Sequence, residues 1–190
     1  MKLHQHIQKF TASGDEIVQS IIQKFTCIHT RKKELLLGEG ERCTDYFYVE
    51  TGCLRLYFVD EKGAEQTIQF ALEGWWLTDL DAFHKNAAAA YSIQVLEGGT
   101  VMKINKPALD ELMKKYPVLE NYFRQVYQRS YSAALYRFKT LRMSKESSYD
   151  LFESNYPDFI QRIPQKMLAS FLGFTPEYLS ELRKRKAGKK

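Results

Sequence analysis

Cysteine, proline and glycine are all scarce in this sequence, and each shortage excludes a class of protein. The 3 cysteines, Cys27, Cys43 and Cys53, lack CxxC spacing, so neither a disulfide framework nor a zinc finger is indicated. With 5 Pro and 10 Gly in 190 residues, the chain does not have the composition of a low-complexity or disordered protein. A reduced, cytoplasmic compartment fits this cysteine usage best.

Long apolar runs are also missing. The first residues, MKLHQHIQKF, contain no apolar core of a secretory signal, and no segment approaches the ~18 apolar residues that a membrane span requires. The sequence therefore predicts a protein without a membrane segment.

The positive charge is concentrated at the C-terminal end. The net charge is +5, and residues 141–190 hold 10 Lys+Arg against 6 Asp+Glu. The last eight residues, RKRKAGKK, contain six basic groups and no acid. Such a cluster suits a phosphate backbone, although anionic lipid or simple solubility would explain it too.

Periodicity divides the chain into helical, strand-forming and again helical parts. Residues 1–34 show apolar positions at helical spacing, and we expect helix there. Residues 35–104 alternate apolar and polar side chains between glycine turns, which is typical of a sandwich or barrel. Helical spacing returns over residues 106–190, with a long helix from Pro117 to about Leu141 and another from Ser144 to about Asn155.

The long helix has an imperfect apolar seam. Leu119, Phe123, Val126, Ala133 and Leu135 lie on or near one side of it. The spacing leaves two interpretations open: the helix packs against its own sheet, or it pairs with a second copy of itself.

The segment RIPQKMLASFLGFTPEYLSELRKRK predicts two helices joined by a tight turn. Pro164 opens the first helix, Gly173 suits its C-terminus, and Thr175 with Pro176 can begin the second. The spacing is that of a helix-turn-helix, in which the second helix enters the DNA major groove. An αα-hairpin without a nucleic-acid role has similar spacing, but the basic residues that follow favour DNA.

The order of these parts resembles the Crp/Fnr family of bacterial transcription regulators. The resemblance is carried by GEGERCTDYFYVETGCLRLYFVDEKGAEQTIQF and by IPQKMLASFLGFTPEYLSELRK. It implies an α+β fold with three parts: a double-stranded β-helix (a jelly-roll-like β-roll) of the cyclic-nucleotide-binding type over residues 1–116, a long dimerisation helix over 117–141, and a helix-turn-helix domain over 142–190. The implied protein is a cytoplasmic homodimer that binds double-stranded DNA, with RNA polymerase as a further candidate partner.

The predicted DNA contacts lie on and beside the second helix of the pair. Its N-terminal residues would meet bases and its basic residues would meet phosphates. The predicted residues are Lys166, Thr175, Glu177, Tyr178, Ser180, Glu181, Arg183, Lys184 and Arg185. Two features depart from the family pattern: Glu181 stands where an arginine is usual, and no β-hairpin wing follows the helix.

The effector site also departs from the family pattern. Members that bind cyclic nucleotides hold the phosphate with a Gly-Glu pair and a later arginine, but here Thr78-Asp79 and about Ala89 occupy those places. We therefore expect an unidentified effector, not cAMP, or none at all. Trp75 and Trp76 either line an apolar pocket there or belong to the core.

No enzyme, metal or cofactor is predicted. Three cysteines cannot supply four thiolates to an iron–sulfur cluster, and a haem role for His29 or His84 has no positive support. A cupin-type metal enzyme would need several histidines inside the roll, whereas the HxH pair His4 and His6 lies outside it. The remaining alternative is a ligand- or protein-binding sensor module that has lost DNA binding.

Overall fold

In the computed structural model, which describes residues 1–187, two short helices precede a pair of four-stranded sheets. The helices are α1 (Leu3–Thr11) and α2 (Asp15–Ile22). The strands are β1 (Thr26–Thr30), β2 (Leu35–Leu37), β3 (Asp45–Val49), β4 (Cys53–Val59), β5 (Glu65–Ala71), β6 (Trp76–Leu77), β7 (Ser92–Glu97) and β8 (Gly99–Asn105), with helix α3 (Leu80–Lys85) between β6 and β7.

The two sheets have the strand orders β1-β8-β3-β6 and β2-β7-β4-β5. Neighbouring strands pair in antiparallel fashion, as in β3 with β8 and in β4 with β7. The glycine turns between strands are tight: Gly52 has φ +99°, and a Cβ there would lie 2.6 Å from the carbonyl oxygen of Glu97. Only glycine fits this turn without a shift of the backbone.

Helices make up the remainder of the described chain. They are α4 (Lys106–Lys115), α5 (Val118–Thr140), α6 (Lys145–Asn155), α7 (Pro157–Arg162), α8 (Gln165–Leu172) and α9 (Pro176–Ala187). None of the helices within residues 1–187 combines the length and hydropathy of a membrane span.

The contacts divide the chain into two compact units. The first contains residues 1–58 and 69–128, and the second contains residues 59–68 and those from 129 onward. The hairpin between β4 and β5 and the helix α5 each contribute residues to both units.

The expectation that residues 1–34 are helical is wrong beyond residue 25. Residues 26–30 form β1, which pairs with β8 from Thr26↔Lys103 to Thr30↔Gly99. Thr26, Ile28 and Thr30 are β-branched, and such side chains favour strands. Within residues 35–104, where the alternation predicts strands, the structure has β3, β4, β5, β7 and β8. It also has β2 and β6, which with three and two residues are too short to show a period.

An aromatic cluster joins the first sheet to the beginning of α5. Trp76 lies with its ring centroid 4.7 Å from that of Tyr46 and 5.2 Å from that of Phe123. The Trp76 indole N–H donates to the hydroxyl of Tyr122 over 2.9 Å, and the same hydroxyl pairs with His6 Nδ1 over 2.7 Å. All five rings belong to residues that are at most 5% exposed.

We expect the substitution Tyr122→Phe to destabilise the first unit. It removes the acceptor of a buried indole N–H and one partner of His6, and an unsatisfied buried polar group costs about 1–3 kcal/mol. Denaturant unfolding followed by tryptophan fluorescence would measure the loss. Tyr131→Phe is the control, because Tyr131 is 67% exposed and its change should stay within about 0.5 kcal/mol. Equal midpoints for the two variants would contradict the prediction.

Candidate functional site

The capping residues that the sequence predicted define the end of α8 and the start of α9. Gly173 ends α8 with φ 72°, and the amide of Phe174 donates to the carbonyl of Ala169 over 2.8 Å. Thr175 Oγ1 then accepts from the amide of Tyr178 over 3.2 Å and so caps α9. These contacts fix the turn between the two helices.

Buried side chains hold the two helices together. Ala169 is fully buried, as expected for a small residue at a close crossing. The remaining buried residues of the pair are apolar: Leu168, Leu172, Leu179 and Leu182.

The exposed face of α9 is not strongly basic. Glu177, Glu181 and Lys184 are exposed there, Thr175 is exposed just before the helix, and Ser180 is half-buried. Two carboxylates therefore accompany one ammonium group on this face, beside the exposed guanidinium of Arg185. Lys166 is exposed on α8 and adds a further cation to the pair.

Most of the other predicted contacts point toward α6 instead. The Tyr178 hydroxyl donates to Glu146 over 2.6 Å, and Arg185 lies 3.6 Å from the same carboxylate. Arg183 donates to the Tyr149 hydroxyl over 3.2 Å. Beside them Lys186, the first residue of the predicted basic tail, forms an ion pair with Asp150.

The bond between Tyr178 and Glu146 changes the ionisation of both groups. It raises the pKa of Tyr178, and it lowers the pKa of Glu146 with further help from Arg185. The ammonium group of Lys145 lies 4.5 Å from the centroid of the Tyr178 ring. Tyr178 is thus oriented by α6 from two sides.

Acidic and basic side chains share a groove between α6 and α9. Its volume is about 730 Å³, and it opens to solvent. The charged groups that line it are Glu146, Asp150, Glu153, Arg183, Arg185 and Lys186. Sequence reasoning did not identify the role of α6 here, although acids at 146, 150 and 153 share the i, i+4 and i+3 spacing of one helix face.

The predicted effector residues Thr78, Asp79 and Ala89 lie close together in the first unit. Asp79 is 4% exposed and caps α3 by accepting from the amide of Ala82 over 3.2 Å. Its other carboxylate oxygen accepts from the amide of Ala90 over 2.7 Å. The Thr78 hydroxyl donates to the carbonyl of Asp45 over 2.9 Å.

The run of four alanines, residues 87–90, is held in place by backbone hydrogen bonds. The amide of Ala89 donates to the carbonyl of Glu41, and the carbonyl of Ala89 accepts from the amide of Gly40, each over 2.8 Å. The residues near Asp79 do not suit a cyclic phosphate, since a buried carboxylate already occupies the two backbone donors. Within the described residues, no Lys or Arg bonds to Asp79. No such cation is therefore in place to balance the charge of a second anion beside this carboxylate.

Trp75 and Trp76 have different surroundings. Trp76 belongs to the aromatic cluster described above, and Trp75 is half-buried. Its carbonyl accepts from the amide of Val49 over 3.0 Å.

The histidines do not gather into a ligand set. His4 lies 2.8 Å from Asp15, whereas His6 is turned to Tyr122. His84 pairs with the Tyr127 hydroxyl over 3.3 Å, and burial together with the nearby Lys106 lowers the pKa of His84. Within residues 1–187, no group of three or more His, Cys, Asp or Glu side chains is arranged to hold a metal ion.

Part of the chain matches a known family of domains. Residues 27–116 match the cyclic nucleotide-binding domain, which places the two sheets and α4 in that family of folds. The match covers slightly less than half of the chain. A comparison with curated proteins found no match.

Solved structures of the same fold cover most of the chain. FixK2 from Bradyrhizobium japonicum is 16% identical with a TM-score of 0.71, over 87% of this chain and 85% of that one. A structure described as a Crp/Fnr-family transcriptional regulator from Eubacterium rectale is 13% identical with a TM-score of 0.72, over 97% and 88%. The catabolite activator protein of Thermus thermophilus is 16% identical with a TM-score of 0.55, over 97% and 87%.

These comparisons define a class of fold. The chain has a cyclic-nucleotide-binding-type roll followed by helices, in an arrangement that transcription regulators share. At these identities the likeness establishes the fold, and the activity of the chain has to be argued from its own residues.

We expect Asp79→Asn to destabilise the roll. Asparagine keeps one oxygen for a backbone N–H but turns an NH₂ group toward the other, and losing a charge-assisted buried hydrogen bond costs about 1–3 kcal/mol. Thermal unfolding would measure the effect. Asp81→Asn is the matched control on the same helix, because the Asp81 side chain is 76% exposed and should tolerate the change. A thermal unfolding midpoint of Asp79→Asn equal to that of the wild type would show that the carboxylate does not stabilise the roll.

Proposed function

We propose that this protein is a dimeric transcription regulator whose C-terminal helices form a helix-turn-helix that binds double-stranded DNA. The observation that carries the proposal is the capped, close-packed pair α8–α9, with Gly173 at the turn and Thr175 at the start of the second helix. Solved regulators of the same fold support it. In this role α9 would lie in the major groove, with RNA polymerase as a candidate partner of the bound dimer.

The structure divides the predicted DNA contacts into two groups. Thr175, Glu177, Ser180, Glu181 and Lys184 are at or near the accessible face of α9, and we assign them to bases and nearby phosphates. Tyr178, Arg183 and Arg185 are held by α6, so they would have to leave those partners to reach a phosphate. Lys166 on α8 is free to contact the backbone of the duplex.

The second copy would bind to an apolar stripe on α5. Tyr131, Leu135 and Phe138 are 67%, 51% and 60% exposed, and their spacing of four and three residues is that of a coiled-coil seam. The first half of the helix is different, because Leu119 and Phe123 are buried to 1% exposure. Burial of the first half supports packing within the chain, and exposure of the second half supports the proposed pairing with a second copy.

The proposed effector is not cAMP. The Asp79 carboxylate uses the amides of Ala82 and Ala90, and alanine stands where an arginine would hold the phosphate. A different small molecule, or regulation without one, is compatible with this site.

A sensor module without DNA binding is the second candidate function. It is favoured by the pairing of Arg185 and Lys186 with the acids of α6, which reduces the positive charge that α9 presents. The predicted lack of a wing concerns residues 188–190, which follow α9 and lie outside the described residues.

The affinity of the purified protein for its own upstream DNA, compared with a scrambled duplex over a salt series, separates the two functions. A regulator should prefer the upstream duplex and lose affinity steeply with salt, because each phosphate contact releases counterions. Equal and weak binding to both duplexes would favour the sensor module.

Lys184→Ala should weaken binding to both duplexes. If Lys184 contacts a phosphate, its loss should reduce the slope of log K against log salt by about one. Lys32→Ala, at an exposed position of the roll, is the control of equal charge and should leave the slope unchanged. An unchanged slope for Lys184→Ala would remove this residue from the interface.

Leu135→Glu should dissociate the dimer. A charge buried in the centre of the stripe would raise the dimer dissociation constant about tenfold or more, which sedimentation equilibrium measures. Ser132→Glu introduces the same side chain at an exposed position beside the stripe and should have a smaller effect. Equal dissociation constants for the two variants would place the dimer contact elsewhere.

A further inference from the structure

Strand β5 lies at the edge of its sheet, and its first residues, 65–68, belong to the second unit together with two side chains that cover their backbone. Ser170 Oγ accepts from the amide of Thr67 over 2.9 Å and donates to the carbonyl of Glu65 over 3.0 Å. The guanidinium of Arg137 donates to the carbonyl of Thr67 over 3.0 Å. Since edge strands expose backbone groups that pair readily with any available partner, Ser170 and Arg137 act as a substitute for a neighbouring strand.

Arg137 connects three elements. From α5 it reaches the carbonyl of Thr67 on β5 and the carbonyl of Phe171 on α8, the latter over 3.2 Å. Its guanidinium carbon also lies 4.9 Å from the centroid of the Phe171 ring. Burial lowers the pKa of Arg137, and a desolvated cation needs such hydrogen bonds to stay in place.

The contact is specific but incompletely satisfied. Arg137 Nε and Thr67 Oγ1 are buried and have no hydrogen-bond partner, and such atoms reduce the net stability that the contact provides. We therefore interpret the contact as one that can open locally, unlike the contacts of the packed core.

We propose that Arg137 and Ser170 form a lock that fastens the hairpin tip, residues 59–68, to α5 and α8. Strand β5 continues from this tip through residues 69–71 into the sheet. A displacement of β5 by about 1 Å would take all three hydrogen bonds out of their favourable range. When β5 moves, either α8 moves with it, or these hydrogen bonds break and the lock opens.

Two parts of the proposal are separable. The lock itself depends only on the contacts of β5. The transmission of movement to DNA binding rests on the proposed function. In both parts Arg137 and Ser170 are positioning residues that need not contact DNA.

Hydrogen exchange of the full chain tests the lock. Arg137→Met and Ser170→Ala should each speed exchange of the amides in residues 60–68 by about tenfold, while peptides from β7 and β8 should be unchanged. Arg142→Met is the matched control, because Arg142 also stacks on an aromatic ring, that of Phe138 at 5.2 Å, yet no hydrogen bond joins it to the hairpin. Unchanged exchange in both variants, or equal acceleration in Arg142→Met, would overturn the lock.

A double variant tests whether the two side chains act together. Exchange in Arg137→Met/Ser170→Ala should be slower than the product of the two single effects predicts, because each single variant already opens the lock. If the increases in exchange rate of the two single variants multiply fully, Arg137 and Ser170 make independent contacts and do not act as one lock. Arg137→Lys keeps a charged donor but lacks the planar guanidinium that lies over the Phe171 ring, so it should give intermediate exchange even if the methionine variant folds poorly.

DNA binding tests the transmission. If the wild-type protein binds its upstream duplex, both lock variants should change that affinity at least about fivefold without changing the salt slope, since no phosphate contact is removed. An unchanged affinity would overturn the transmission while leaving the lock intact. If the wild-type protein binds no duplex, the proposed function and the transmission both fail, and hydrogen exchange still decides the lock.

Discussion

The acceptor role of a single hydroxyl, that of Tyr122, connects the parts of the first unit. Its bonds to the Trp76 indole and to His6 join strand β6, helix α1 and the first turns of α5 inside an aromatic cluster. A phenolic oxygen can take part in both bonds at once, and the rings around it are shielded from water, so the pair is stronger than it would be at the surface. Helix α5 begins from this anchor, and its exposed apolar residues appear only after residue 130.

Local rules predicted much of this structure, and non-local choices account for what they missed. Thr175 and Gly173 act as caps because capping depends on residues only a few positions apart. The strand at residues 26–30 was missed because the helical pattern before it ends without a glycine or proline. The pairing of α9 with α6, and of Ser170 with β5, cannot be deduced from spacing, since the partners are 32 to 105 residues apart in the sequence.

Charge totals also mislead when the partners are unknown. The basic excess of residues 141–190 favours DNA, yet Arg185 and Lys186 are paired with acids of α6. Exposed ion pairs of this kind contribute little free energy and are screened by salt, so a phosphate could displace the carboxylates at small cost. Under the proposed function, pairing with α6 lowers the electrostatic contribution to DNA affinity without preventing binding. It would leave relatively more of the recognition to Thr175, Ser180 and the two exposed glutamates of α9.

The site around Asp79, whose backbone donors are already occupied, and the lock at β5 both bear on where a signal could act on this protein. An anionic ligand would have to displace the Asp79 carboxylate from two backbone amides, and a buried charge that loses its partners is costly. A cationic or neutral ligand would avoid that competition. A ligand can shift a conformational equilibrium only through its differential affinity for the two states, so a ligand that opens the proposed lock would have to bind better when β5 is displaced. In the absence of such a ligand, the intact lock would hold α8 in one arrangement. Under the proposed function, the amount of protein would then set the occupancy of a DNA site.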